Sequence, residues 1–253
     1  MTECIHGFDE GLCDVCFPRV VEPPVRPARP TRAAAPREAR APRSSASAAV
    51  GAPPTLTLAG RRVHHVTHLR TLETIALDGE LRADASPDVD VSSATTRELR
   101  ATATVPDGRT VASLVAFSVA QDSTRWQELR EGAEGTHWSD AARAARPTDF
   151  VILSVPVDAL RGDLVFADAD AASVGARFGI GLEAGTQGLR RLHATDPDFR
   201  DAEVLAAGPV PLDAVAIVTV ANDKVRDRVR EVFADAGRAA PRIAVYPPAF
   251  AVD

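Results

Sequence analysis

Glu203 stands at the head of a short apolar run, EVLAA, inside the segment FRDAEVLAAGPVPLDAV (199–215). The run reads as a strand entering a core, where a carboxylate costs stability unless it is paired, exposed at the strand end or required for chemistry. Two arginines, Arg97 and Arg100, lie three residues apart in the polar stretch DASPDVDVSSATTRELRATATVP, so a helical turn there sets them on one face. Such a pair is either a solvated charged turn or a phosphate clamp, a role suited to the fixed fork and permanent charge of guanidinium. Three of the six histidines fall in VHHVTH, as His64, His65 and His68. A strand sends His64 and His65 to opposite faces, so at most one of the two is expected in any one pocket. No nearby carboxylate or cysteine has a metal-ligand spacing, and a polar strand end that holds a ligand by hydrogen bonds is the better reading.

A fourth constellation opens the chain. CIHGFDEGLCDVC has the spacing C-x-H-x6-C-x2-C, and all three cysteines of the protein fall inside it. Cys4, His6, Cys13 and Cys16 match a Cys3His tetrahedral zinc site of the knuckle type, and Gly7 and Gly11 allow the reversal that brings the two halves together. A disordered tail with incidental cysteines is the alternative. A knuckle of this kind binds nucleic acid or a protein partner, or simply folds a tail, and the sequence does not choose.

Other common chemistries are absent. There is no Walker loop, G-x-G-x-x-G, G-x-S-x-G or H-E-x-x-H, which removes the motif-based grounds for a nucleotide hydrolase, Rossmann dehydrogenase, serine hydrolase or zinc protease. GARFGIGLEAG (175–185) is glycine-rich without a following Lys-Ser/Thr and reads as a mobile loop.

These groups need a scaffold, and the 253 residues with 45% hydrophobic content are enough for a substantial core. Residues 1–18 form the zinc-type motif. Residues 19–56 are rich in Pro, Ala and Arg, carry seven arginines against Glu22 and Glu38, and read as a flexible, partly polyproline-like linker. Residues 57–253 form an acidic folded body, which argues mildly against a broad footprint on duplex nucleic acid. No apolar run approaches the roughly 20 residues of a membrane span. The start of the chain lacks a secretion signal, and three clustered cysteines point to a reduced compartment, so a soluble cytoplasmic protein is expected.

Within the body, RRVHHVTHL predicts a strand ending at Thr67. LRTLETIALDGEL then predicts a helix with Leu69, Leu72, Ile75 and Ala76 on one face and a stop at Gly79. Further strands are expected at 111–119, 149–157, 163–168, 202–207 and 214–221. A helix then runs from the N-cap Asn222 to Gly237, and RIAVYPP closes as an edge strand. The strands follow one another too closely for a regular βαβ repeat, which makes this an α+β fold on a mixed or antiparallel sheet.

Taken in order, HHVTHLRTLETIALDGEL, ATTRELRATATVP, LVAFSV, LVFADADAAS and FRDAEVLAAGPVPLDAVAIVTV resemble successive blocks of the DarT family of NAD-dependent DNA ADP-ribosyltransferases, from about residue 60 to about 235. The resemblance implies an ADP-ribosyltransferase fold, a split sheet around an NAD cleft, and transfer of ADP-ribose from NAD to a base in single-stranded DNA. It further implies a toxin or phage-defence effector, with an antitoxin ADP-ribosyl hydrolase as partner. By position it makes Glu203 the catalytic glutamate and Arg100 the catalytic arginine, with Arg97 as its nearest substitute. His65, Thr67 and His68 fall on the motif that holds the nicotinamide ribose side, and Asp168, Ala171 and Ala172 on a structural block. The sequence departs from the family in having Thr71 where an asparagine is usual and LVAFSV where an aromatic-rich block is usual. The same chemistry on RNA, protein or a small molecule, and a catalytically silent binding module, are the competing readings.

Overall fold

The computed structural model describes residues 56–83 and 86–252. The Cys4, His6, Cys13 and Cys16 motif lies outside the described residues, as does the linker up to position 55.

The chain enters through strand β1 (Arg62–His68), where alternation puts Val63 in the main core while Val66 packs with the Trp126 and Phe150 cluster. The strand runs one residue past Thr67, because His68 serves as the N-cap of α1 (Leu69–Asp78) and accepts a hydrogen bond from the Arg70 N–H at 3.1 Å. Gly79 ends the helix as foreseen, at φ 81°, a left-handed conformation that donates its N–H to Ile75 O. A short strand β2 (Glu80–Leu81) follows, then α2 (Ala94–Thr102), which starts on a Ser93 cap and carries both Arg97 and Arg100. Next come β3 (Leu114–Ser118), α3 (Thr124–Arg130), α4 (Asp140–Ala144) and β4 (Phe150–Pro156). All but the last residue of β4 is buried, the mark of a central strand with both faces covered.

The remaining elements are β5 (Leu164–Ala167), β6 (Phe178–Ile180), α5 (Gly181–His193), β7 (Glu203–Ala207), β8 (Val210–Pro211), β9 (Ile217–Val220), α6 (Asp223–Asp235) and β10 (Arg242–Val245). Asn222 caps α6 by accepting the Val225 N–H at 3.0 Å. The glycine-rich segment 175–185 is not a loop throughout: it forms β6 and the first turn of α5. Gly175 and Gly181 hold positive φ in open space, whereas Gly179 and Gly185, with Gly188 further along α5, stand at close contacts. A Cβ on Gly185 would meet Leu58 Cδ2 at 2.8 Å, one on Gly188 would meet Phe166 Cδ1 at 2.7 Å, and one on Gly179 would meet Ala184 O at 2.6 Å. Helix and sheet therefore lie closer together than any side chain would allow.

Eight strands make one sheet in the order β10-β9-β4-β1-β3-β7-β5-β6, antiparallel at every pairing except the edge pair β9 and β10. The sheet is held unevenly. β1 pairs with β4 along its whole length, and β3 with β7 likewise, but β1 meets β3 at the single register pair His64↔Ser118. Beyond that pinch the two half-sheets diverge and leave two strand edges facing an opening. The fold is α+β on a mainly antiparallel sheet, as the spacing of strands predicts.

Candidate active site

The opening is a cleft of about 570 Å³, lined by His64–His68 from β1, Leu114–Ser118 from β3, Arg97 and Arg100 from α2, and Glu203. Both His64 and His65 border it, against the expectation from strand alternation. The cleft lies in the plane of the sheet at an open strand edge, so side chains on both faces reach its rim.

Glu203 is the first residue of β7, in register between Ser118 of β3 and Ala167 of β5, and is only 8% exposed. Its burial is compensated on two sides. Oε2 accepts the Ala171 N–H at 3.0 Å, and Arg100 Nη1 lies 3.4 Å from Oε1 and 3.5 Å from Oε2. Arg100 also reaches Asp170 Oδ1 at 3.3 Å, and the Ala172 N–H donates to that same oxygen at 2.8 Å. Two groups 103 residues apart in sequence thus share one end of the cleft. The Glu203 carboxylate is paired, and it faces a cavity rather than solvent.

Arg97 takes a different place. Its Nη1 donates to Asp90 Oδ2 and, at 2.7 Å, to Ser92 O, so it lines the same cleft without joining the Arg100 and Glu203 pair. Thr67 is buried, and its hydroxyl makes no hydrogen bond among the described residues. His68 is committed to capping α1 and stands edge-on to Phe150 at 5.3 Å between ring centroids.

His65 is the most informative of the first-strand residues. Its Nδ1 lies 3.0 Å from Ala116 O, and a carbonyl can only accept, so Nδ1 carries the proton. Burial lowers its pKa, opposed only in part by that backbone bond, which keeps the ring neutral and leaves Nε2 as an acceptor. A neutral acceptor next to an open strand edge suits a sugar hydroxyl better than a phosphate. Burial likewise lowers His64 to about 4, aided by Arg62 and Arg61, while its Nδ1 contacts Ser154 Oγ at 3.0 Å. His68 is lowered by burial as well, against the opposing pull of Asp149.

Three parts of the site carry no functional signal in the sequence. Arg125 on α3 borders the cleft, Asp170 bonds Arg100, and the main-chain N–H of Ala171 bonds Glu203. Arg125 has no spacing relation to Glu203 that a pattern would expose. Asp170 and Ala171 sit in a block noted only as structural. Among the described residues no group of three or more His, Cys, Asp or Glu could hold a metal ion, and no helix is long and apolar enough to cross a membrane.

A buried glutamate steadied by an arginine, beside a cleft of dinucleotide size whose walls offer main-chain edges and a neutral histidine acceptor, is equipment for glycosyl transfer from a nucleotide. Comparison with known proteins carries the class to a family. The sequence model described as "ssDNA thymidine ADP-ribosyltransferase, DarT" matches residues 64–251, and the chain belongs to the DarT family of NAD-dependent ADP-ribosyltransferases. No curated protein matches it. Among solved structures, the chain is similar to Thermus sp. 2.9 DarT in complex with ADP-ribosylated ssDNA, with a TM-score of 0.62 at 20% identity over 76% of this chain and 97% of that one. The same Thermus protein in complex with NAD+ gives 0.60 at 20% identity, over 76% and 98%. Thermosipho africanus DarTG in complex with ADP-ribose gives 0.54 at 15% identity, over 75% of this chain and 51% of that one.

Proposed function

We propose that the body of this chain, residues 57–253, transfers ADP-ribose from NAD to thymidine in single-stranded DNA, with Glu203 and Arg100 at the reacting centre. The observation that carries this reading is the meeting of those two side chains at the split of the sheet. In the reaction the bond between the ribose C1 and the nicotinamide nitrogen breaks, and nicotinamide leaves with the bonding pair. A new bond forms from C1 to the thymine, whose displaced proton passes to the Glu203 carboxylate and then to water. Positive charge develops on the ribose as the first bond lengthens, and a fixed carboxylate in a water-poor cleft stabilises it by several kcal/mol. Arg100 holds that carboxylate in place and supplies a cation for the phosphates. His65 Nε2 and the Thr67 hydroxyl are free to bind the nicotinamide ribose, His68 fixes the end of β1, and Arg97 flanks the phosphate side. A single-stranded acceptor suits an enclosed carboxylate, since a base inside a duplex cannot reach it.

Likeness to a DarTG structure supports the reading of a toxin or phage-defence effector countered by an ADP-ribosyl hydrolase. For Cys4, His6, Cys13 and Cys16 spacing alone supports a structural zinc ion. Equal zinc content in the wild type and in Cys13→Ser would remove it. The cysteine usage supports a cytoplasmic setting.

The deciding experiment incubates purified protein and Glu203→Ala with labelled NAD and a panel of DNA, RNA and protein acceptors. Label on thymidine-containing single strands, absent in the variant, is the expected result. Label confined to RNA or protein would move the acceptor, and no label on any acceptor would leave a binding module.

A further inference from the structure

A second cavity, of about 270 Å³, adjoins the first, and every residue lining it has a polar side chain. Four residues belong to both cavities: Ser118, Ser123, Arg125 and Glu203. The catalytic carboxylate therefore stands in a wall with a dinucleotide-sized space on one side and a base-sized space on the other.

Arg125 is the cation of that wall. Its Cζ lies 4.9 Å over the Trp138 ring, and Trp138 is fixed in turn by donating Nε1–H to Glu128 Oε2 at 3.3 Å. Nη2 donates to Ser92 Oγ at 3.1 Å, while Nη1 is 3.7 Å from Asp170 Oδ2, too far for a hydrogen bond. Among the described residues Ser92 is the one acceptor it satisfies, so most of the five guanidinium N–H groups stay free on a side chain that is 33% exposed. A clamped, half-desolvated guanidinium with spare donors beside the reacting carboxylate is built to meet a carbonyl or an anion. Glu128, Asp170, Asp201 and Glu203 already line the second cavity, against Arg125, Arg200 and His137, so a further full negative charge is poorly served there. A neutral carbonyl is not.

We infer that Arg125 selects the acceptor base, donating to a thymine carbonyl in the second cavity while Glu203 faces the ribose in the first. This rests on the reaction proposed above. Thymine flanks its one ring N–H with two carbonyls. Cytosine has an amino donor in place of one of them, and a donor facing a guanidinium donor leaves both unsatisfied. The same contact spreads the negative charge that grows on the thymine as its N–H proton moves to Glu203. Arg125 is thus a specificity residue as well as a wall.

The test uses the full chain with single-stranded oligonucleotides that contain one thymidine or one deoxycytidine, together with NAD affinity measured by titration. Arg125→Ala is expected to cut transfer to thymidine at least tenfold more than it weakens NAD binding, and to shrink the preference for thymidine over deoxycytidine by about tenfold. Arg125→Lys, which keeps the charge and most of the packing but loses the fork, should fall between. Arg228→Ala, an exposed α6 position that lines neither cavity, serves as the control. A thymidine preference equal to that of the wild type in Arg125→Ala would overturn the inference, as would loss of NAD binding in proportion to loss of transfer. Should the wild type modify no single strand at all, the reaction proposed above fails with it, an outcome separable from failure of Arg125 alone.

Discussion

The two halves of the sheet are built to different ends. The half made of β10, β9, β4 and β1 presents a pair of neutral histidines and a buried threonine to the cleft from β1, which is backed along its length by the buried central strand β4. The half made of β3, β7, β5 and β6 presents Glu203 at the start of a strand, next to the turn that carries Asp170 and Ala171. One half offers uncharged acceptors and the other an ion-paired carboxylate. Their strands pair at a single register position, bridged besides by the His65 bond to Ala116 O, so on the proposed reading binding and chemistry rest on separate supports. A carboxylate can thus enter an apolar strand when it occupies the strand end and the neighbouring turn returns an N–H to it.

The sharpest break in this division is Glu203→Gln. It keeps shape and the Ala171 bond but removes the charge, and should lower kcat by about 10²–10³-fold with little change in KM for NAD, as steady-state kinetics would show. On the other half, His64 provides an acid test. Its folded pKa of about 4 lies below the unfolded value near 6.5, so the folded state binds fewer protons in that interval. The stability it allows is complete above about pH 6.5 and is lost as pH falls toward 4, by about 3 kcal/mol at most. Thermal midpoints between pH 7 and 4 should decline less steeply in His64→Gln than in the wild type. An equally steep decline would show that the pinch between the halves does not sense protons through this ring.

A smaller effect is expected from Gly179→Ala, where the new Cβ meets a main-chain oxygen. It should destabilise the chain by about 1–3 kcal/mol in chemical denaturation while leaving kcat of the folded fraction near that of the wild type. Smallest is His65→Ala, expected to raise KM for NAD about tenfold with kcat nearly intact, because it removes a binding acceptor present in ground and transition states alike. A fall in kcat as large as that from Glu203→Gln would erase the distinction between the halves.

Much of this was legible in the residues. Periodicity and caps marked β1, α1 and α6, and the closing edge strand, since apolar spacing, Gly79 and Asn222 act locally. The Arg100 and Glu203 pair came through resemblance in block order, not through spacing, because 103 residues separate them. The two arginines that share one helical face have different partners in the structure, Asp90 for Arg97 and Glu203 for Arg100, a difference that their spacing does not carry. The glycine-rich segment misled because glycine signals mobility in a loop and close approach in a helix equally well, and only the position of Phe166 tells them apart. Arg125 stayed hidden for a related reason. Its meaning depends on Trp138 and Ser92, neither near it in sequence.

Beyond the His64↔Ser118 pair, the edge of β1 that faces β3 has no partner strand. Main-chain amides and carbonyls are the same whichever residue bears them. A ligand that docks on such an edge is recognised by groups that substitution cannot alter, short of proline. Drift along His65–His68 or Leu114–Phe117 can therefore change side chains and leave part of the recognition standing. That tolerance suits a chain that keeps this architecture at 20% identity to the Thermus protein.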